Sequence, residues 1–186
     1  MVLISYNSSN QLNGLMSYIA TLTGNKSEYL RFESVAGDNP EQLFYYDSGY
    51  SYQPTNAYLP EYYVGFFLKK NVFGLSSYTI RTSINPPNST LHPHTWKIIG
   101  SIDGENWNIL DSHVNDSVLC VQYATIHFEA QEYVVQHIRF VSATHFALRS
   151  LEFFGNLYPN NIVIHSCINN NFHIMFSCLI SVFILV

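Results

Sequence analysis

The chain has 186 residues, a length that suits one well-buried domain with short extensions. Charged residues make up 11% of the sequence and aromatic residues 16%, against about 25% charged residues in ordinary soluble domains. The formal net charge is −5, and Lys69-Lys70 is the one adjacent pair among eight basic residues. A nucleic-acid partner requires clustered basic side chains that neutralise phosphates, so the composition argues against nucleic-acid binding.

The first predicted element is an amphipathic helix over Gln11–Thr23. Its apolar residues recur at three- and four-residue spacing, at Leu12, Leu15, Met16, Ile19 and Leu22. Asn10 can serve as the N-cap, and Gly24 stands where the C-terminal ends of helices favour glycine. We therefore expect residues 1–27 to form a helical extension ahead of the main domain.

From Glu28 onward the apolar period changes to two, which is typical of strands with one buried face. The predicted strands are Tyr29–Val35, Tyr62–Leu68, Ser77–Thr82, Trp96–Ile102, Trp107–Leu110, Val121–Phe128, Tyr133–Val141 and Leu148–Phe154. Segments rich in Gly, Pro, Asn and Asp separate them. Short strands joined by long loops predict an all-β domain over residues 28–155, an antiparallel β-sandwich of the jelly-roll type.

The stretch TWKIIGSIDGENWNILD, from Thr95 to Asp111, predicts a β-hairpin. Asp103-Gly104 supplies the backbone freedom of a tight turn, since glycine reaches positive φ without a clash at Cβ. Trp96 and Trp107 flank this turn, and we expect both indole rings to lie in the core between the sheets.

Four segments carry a family resemblance: LNGLMSYIATLTG, SSYTIRT, HPHTWKIIGSIDGENWNILD, and HIRF followed by ALRSLEFFG. In this order they resemble the helix, the tryptophan hairpin and the closing strands of the discoidin family, also called the coagulation factor 5/8 type C domain. The likeness covers residues 12–155 and is greatest to divergent protozoan members, in which the domain often follows a BTB-type module. The resemblance implies a galactose-binding-domain-like jelly roll and a non-catalytic binding module. Its ligands would be glycans, lipid head groups or proteins, bound by loops at one end.

Candidate ligand-binding residues lie in two predicted loops. Tyr50 and Tyr52 belong to DSGYSYQPTN, where we expect exposed rings, and tyrosine offers both sugars and proteins a stacking face with a polar handle. The alternative is that these rings pack in the core. His145 and Phe146 precede the last strand and are the other predicted ligand contacts.

Other polar residues are assigned structural roles. His92 and His94 have a spacing that zinc can use, but Pro93 lies between them and no ligand set is completed nearby, so no metal is predicted. Arg139 lies in an alternating strand and needs a partner if buried, and a carboxylate such as Glu152 is expected to pair with it. No motif typical of nucleotide binding or hydrolysis is present, so the sequence predicts neither an enzyme nor a cofactor.

Cysteine content and the terminal segments bear on location. Only Cys120 of the three cysteines falls in the strand region, and the first residues lack the pattern of a secretory signal peptide. Both observations favour a cytoplasmic location. Residues 156–186 are expected to form an apolar tail outside the domain. A bilayer-spanning helix usually needs about 20 residues, and the apolar segment 172–186 is shorter than that. A short membrane anchor is therefore kept as the alternative interpretation.

The sequence therefore predicts a binding module that recognises a protein partner through the loops of the sandwich. The first alternative is a lectin-like module that binds carbohydrate through Tyr50, Tyr52 and neighbouring loop residues. The second is an adhesion-type protein tethered to a membrane by residues 172–186.

Overall fold

The computed structural model describes residues 1–23, 26–35, 39–44, 51–54 and 59–159. In these residues one α-helix, α1 (Leu15–Thr23), and two short 3-10 helices, Lys26–Glu28 and Pro40–Phe44, accompany the strands. The strands are β1 (Val2–Ile4), β2 (Leu30–Ser34), β3 (Tyr62–Leu68), β4 (Asn71–Thr82), β5 (Trp96–Ser101), β6 (Asn108–His113), β7 (Thr125–Val135), β8 (His137–Ser142) and β9 (Leu148–Pro159).

The strands form two sheets that pack face to face. One sheet has four strands in the order β1-β9-β4-β7, and the other has five in the order β2-β3-β8-β5-β6. All the strand pairs are antiparallel. The predicted all-β antiparallel jelly-roll sandwich with a short N-terminal helix is confirmed.

Aromatic side chains from both sheets fill the space between them. Trp96 of β5 is 2% exposed, and its ring stacks on Phe140 at a centroid distance of 5.5 Å. Tyr78 of the opposite sheet meets the same indole edge-on at 6.1 Å. Such pairs contribute about 0.5–1.5 kcal/mol each beyond the burial of their area, so these rings fix the spacing of the two sheets.

Trp107 lies outside this core. Residues 102–107 form a loop rather than a two-residue turn, in which Asp103 Oδ1 accepts hydrogen bonds from the backbone N–H groups of Glu105 and Asn106, each 2.8 Å long. The returning strand begins only at Asn108, and the half-buried indole rests on the outer face of the five-stranded sheet. The prediction of a core position is thus confirmed for Trp96 and wrong for Trp107, because the loop displaces the second indole.

Two predicted strand boundaries differ from the structure. β4 begins at Asn71, six residues before Ser77, and contains a register shift between Leu75 and Ser77. The predicted strand Tyr133–Val141 is divided by Gln136 between β7 and β8, which belong to different sheets. The core-facing positions change at this bend from odd, as at Val135, to even, as at Ile138 and Phe140, which a single continuous alternation over Tyr133–Val141 did not show.

The helix begins at Leu15 rather than at Gln11, because a distant side chain fixes its N-terminus. The buried carboxylate of Glu152 in β9 accepts hydrogen bonds from the backbone N–H groups of Met16, at 2.8 Å, and Ser17, at 3.2 Å. Gly14 permits this approach, since a Cβ at that position would lie 2.4 Å from Glu152 Cγ. Glu152 therefore takes the capping role that the sequence assigned to Asn10.

The structure continues beyond residues 28–155 at both ends. β1 pairs with β9, Leu15, Met16 and Ile19 of α1 join the same core as the sheets, and β9 extends to Pro159. None of the described helices is long and apolar enough to cross a membrane. The segment 172–186, assigned as a possible anchor in the sequence, lies outside the described residues.

Arg139 has the structural role expected of it, with a different partner. On the outer face of the five-stranded sheet, its Nη2 and Nε donate to Glu33 Oε2 at 2.8 Å and 3.2 Å, so Glu33 and not Glu152 is the counter-ion. The guanidinium lies between the rings of Tyr63 and Trp107, 4.2 Å and 4.1 Å from their centroids. Burial raises the pKa of Glu33, but the hydrogen bonds from Arg139 and Arg31 outweigh burial and lower it.

Candidate binding surface at the loop end of the sandwich

Three connections between strands meet at one end of the sandwich, which we call the loop end. They are residues 83–95 between β4 and β5, 114–124 between β6 and β7, and 143–147 between β8 and β9. The antiparallel register brings them together, because the end of β8 pairs with the start of β5, and the end of β4 with the start of β9. Loops at such an end can vary without disturbing the sheets, and binding residues are often found on them.

Backbone hydrogen bonds tie these loops to one another. Ala147 N donates to Leu91 O at 2.8 Å, which joins two of the connections, and Asp116 N donates to His94 O at 2.8 Å, which joins a third. Tyr52 exchanges two backbone hydrogen bonds with Leu148, so the segment 51–54 is attached to the same end. The loop end is therefore ordered before any ligand arrives, which lowers the entropic cost of binding.

His92 holds the connection 83–95 from inside. Its side chain is buried, and Nε2 lies 3.2 Å from Asn85 O and 2.9 Å from Pro86 O. Both neighbours are carbonyl acceptors, so Nε2 carries the hydrogen and its N–H donates hydrogen bonds to them. This contact supports the structural interpretation of His92. The described residues contain no group of three side chains that could hold a metal ion.

A network centred on His113 fixes the base of the connection 114–124. The imidazole stacks on Trp96 at 4.0 Å, and its nitrogens lie 2.7 Å from Asp116 Oδ2 and 3.1 Å from Asp111 Oδ2. The hydrogen bond with His113 lowers the pKa of Asp116. Burial and the hydrogen bond to Asp111 raise the pKa of Tyr78, whose hydroxyl donates to Asp111 at 2.5 Å. The loop is thus anchored to the aromatic core.

Tyr123 is the exposed aromatic residue that this anchored loop presents. Its side chain is 49% exposed, and its φ of 55° lies in the left-handed region that residues other than glycine rarely adopt. Tyr123 N donates to Ser83 O at 3.2 Å, while Ala124 N donates to Thr82 Oγ1 at 2.9 Å. These bonds to β4 and the following loop hold the unusual backbone conformation, which places the ring at the surface.

Arg149 lies beside this ring. It is the second residue of β9, its side chain is half-buried, and its guanidinium carbon is 5.4 Å from the Tyr123 ring centroid. Val121, which is 46% exposed, lies two residues before Tyr123 in the chain. Ile84, which is 55% exposed, follows Ser83, the residue whose carbonyl oxygen accepts from Tyr123 N. We refer to Tyr123, Arg149, Ile84 and Val121 as the Tyr123–Arg149 surface.

The residues predicted to bind ligand lie in different places. Tyr50 falls outside the described residues. Tyr52 is only 3% exposed, so the expectation of an exposed ring is wrong for it: the bridge to Leu148 turns the ring inward, towards Phe146 at 6.1 Å. Phe146 is fully buried and packs on Phe140, so it attaches the connection 143–147 to the core between the sheets.

His145 is half-buried at the loop end. Its Nε2 contacts the carbonyl oxygen of Pro54, and its ring lies 5.4 Å from that of Tyr62. These contacts join the connection 143–147 to the segment 51–54. A ligand contact by His145 stays a prediction.

Sequence reasoning missed both Tyr123 and Arg149. Tyr123 fell inside a predicted strand, Val121–Phe128, although the structure begins β7 only at Thr125. The one signal available for Arg149 was a cation in the otherwise apolar segment ALRSLEFF. Neither residue could be placed beside the other without the pairing of β4 with β7 and β9.

Comparisons with known proteins support the fold. No family model matches the sequence, and no curated protein matches it. Among solved structures, a CBM32 domain from a family 31 glycoside hydrolase of Clostridium perfringens superposes with a TM-score of 0.59 at 16% identity, covering 81% of this chain and 100% of that chain. A pectin-binding carbohydrate-binding module gives a TM-score of 0.50 at 14% identity, covering 67% of this chain and 89% of that chain.

The same fold also occurs as part of an enzyme chain. Allantoicase from Saccharomyces cerevisiae superposes with a TM-score of 0.50 at 9% identity, covering 68% of this chain and 39% of that chain. At these identities the comparisons establish a shared jelly-roll sandwich, and function has to be argued from the surface itself.

Proposed function

We propose that this protein is a non-catalytic binding module that binds a glycan at the Tyr123–Arg149 surface. The observation that carries the proposal is the exposed Tyr123 ring, held on an ordered loop with a guanidinium beside it. The face of an aromatic ring stacks on the C–H groups of a sugar, and a guanidinium donates hydrogen bonds to its hydroxyl groups. The similar structures that are themselves carbohydrate-binding modules support this choice of ligand.

The carboxylates of the loop end favour binding over catalysis. Asp116 and Asp111 are engaged by His113, Asp111 also accepts from Tyr78, and Glu61 pairs with Lys97 at 2.8 Å. Hydrolysis of a glycosidic bond would need two carboxyl groups facing each other across a cleft, one of them with a raised pKa. These three groups have structural partners instead.

Protein recognition, which the sequence favoured, is the second candidate. Exposed aliphatic side chains lie in the same two connections as the tyrosine and its backbone partner Ser83: Val121 and Val114 in 114–124, and Ile84 in 83–95. A protein partner could cover these side chains, whereas a saccharide offers few apolar groups of similar size. An aromatic residue, an arginine and an apolar surround are the composition of a protein-binding hot spot.

A glycan array followed by calorimetric titration tests the proposal. We expect the Tyr123→Ala variant to lose at least about tenfold in affinity for the bound glycan, which corresponds to roughly 1.4 kcal/mol. Tyr158→Ala, at the opposite end of β9, is the control and should bind as the wild type does.

Absence of binding to every glycan on the array would overturn the proposal. Specific capture of a purified protein partner that depends on Tyr123 would then favour the second candidate. Equal glycan affinities of the Tyr123→Ala and Tyr158→Ala variants would place the glycan site elsewhere on the sandwich.

A further inference from the structure

The uncompensated charge of Arg149 points to a narrower class of ligand. Resting on the proposed function, we propose that the Tyr123–Arg149 surface selects saccharides that carry a carboxylate, such as uronic acids or sialic acids.

Arg149 differs from the other arginines in the described ranges. Arg31 and Arg139 both pair with Glu33, and Arg81 donates through Nε to Thr125 Oγ1 at 3.1 Å. Among the described residues, the side chain of Arg149 makes no ion pair and no hydrogen bond, and its Nε is buried without a partner. In the described part of the chain, its guanidinium contacts the ring of Tyr123 in a cation–π arrangement.

A buried donor on a charged group is unfavourable when it is left unpaired, because it has lost its hydration and gained no acceptor. A carboxylate compensates the charge of the guanidinium, since its two oxygens match the planar fork of that group and can accept two parallel hydrogen bonds. A neutral hydroxyl group provides one weaker acceptor and leaves the positive charge in place.

No charged group among the described residues forms an ion pair with Arg149. At the loop end the two aspartates face His113, and Glu61 faces Lys97, so these acidic groups already have cationic or donor partners. Although the chain as a whole is acidic, with a formal net charge of −5, the described residues supply Arg149 with neither a carboxylate nor a neutral acceptor such as the one that Arg81 has. A local positive site remains, and it attracts an anionic ligand over the range set by the ionic strength.

The geometry allows one sugar unit to contact both residues. The guanidinium carbon lies 5.4 Å from the centroid of a ring that is itself half exposed. A pyranose ring can stack on the remaining surface of Tyr123 while a carboxylate on the same unit reaches Arg149. Aromatic stacking then provides affinity for saccharides in general, and Arg149 provides selection for charge.

Calorimetric titration of the full chain with paired ligands tests this inference. One pair is a galacturonic acid trisaccharide and a neutral galactose trisaccharide, and the other is sialyllactose and lactose. We expect one of the acidic ligands to bind at least tenfold more tightly than its neutral counterpart. The preference should weaken as salt is raised, and the two pairs distinguish uronic from sialic acids.

Variants identify the residue responsible. Arg149→Gln should weaken binding of both ligands of a pair and bring their affinities within about twofold of each other, and Arg149→Lys should retain part of the preference because it keeps the charge. Arg81→Gln, which removes an arginine from the neighbouring strand β4, is the matched control and should behave as the wild type. Circular dichroism melting curves verify that all three variants fold.

The outcomes separate this inference from the proposed function. Equal affinity for acidic and neutral sugars, or a preference that survives in Arg149→Gln, would overturn the charge selection and leave glycan binding in place. If Arg149→Gln does not fold, the salt dependence and the Arg149→Lys variant decide the question. Failure of all four saccharides to bind would overturn the charge selection, whereas glycan binding itself is decided by the glycan array.

Discussion

Replacing Glu152 with alanine tests how the helix is joined to the sandwich. The substitution removes both acceptors of the Met16 and Ser17 N–H groups, the first of which is fully buried. A buried donor left unsatisfied costs about 1–3 kcal/mol, and the lost interaction of a carboxylate with the helix dipole adds about 0.3–1 kcal/mol. With a smaller contribution from the second N–H, we expect destabilisation by about 3 kcal/mol.

Urea unfolding followed by circular dichroism measures this change. With an m-value of about 2 kcal/mol/M for a domain of this size, the midpoint should fall by roughly 1.5 M at unchanged m. Glu152→Gln keeps one acceptor and should lose about half as much.

Glu132→Ala, an exposed carboxylate on β7, is the control and should stay within about 0.5 kcal/mol of the wild type. If Glu152→Ala were no more destabilising than this control, the capping role assigned to Glu152 would be refuted.

Two further predictions concern the five-stranded sheet. Gly65→Ala should destabilise the fold by about 2 kcal/mol in thermal unfolding, because a Cβ there would lie 2.0 Å from a backbone carbonyl oxygen of β8. A stability within about 0.5 kcal/mol of the wild type would contradict this close approach. The lowered pKa of Glu33 contributes stability that is present above its unfolded pKa of about 4.3 and is lost as the pH falls through the lower folded value. Urea midpoints should therefore decrease between about pH 5 and pH 2, and Arg139→Gln should weaken that dependence; an unchanged dependence would show that another group is responsible.

The sequence alone determined the elements whose signals are local. Alternation of apolar side chains predicted β3 with the bounds Tyr62–Leu68, and it placed Trp96 in the core, because a strand directs successive side chains to opposite faces wherever it lies. The number of strands and the turn residues between them were sufficient to predict a sandwich. These features depend on neighbours within a few residues along the chain.

Contacts between distant residues decided the remainder. The start of α1 depends on Glu152, 136 residues from Met16, and the ion pair of Arg139 depends on Glu33, 106 residues away. Tyr123 and Arg149 meet only because two different strands pair with β4. A one-dimensional pattern records which face a side chain occupies, but its partner across that face is fixed by the register of the sheets. The candidate binding surface therefore had to come from the tertiary structure.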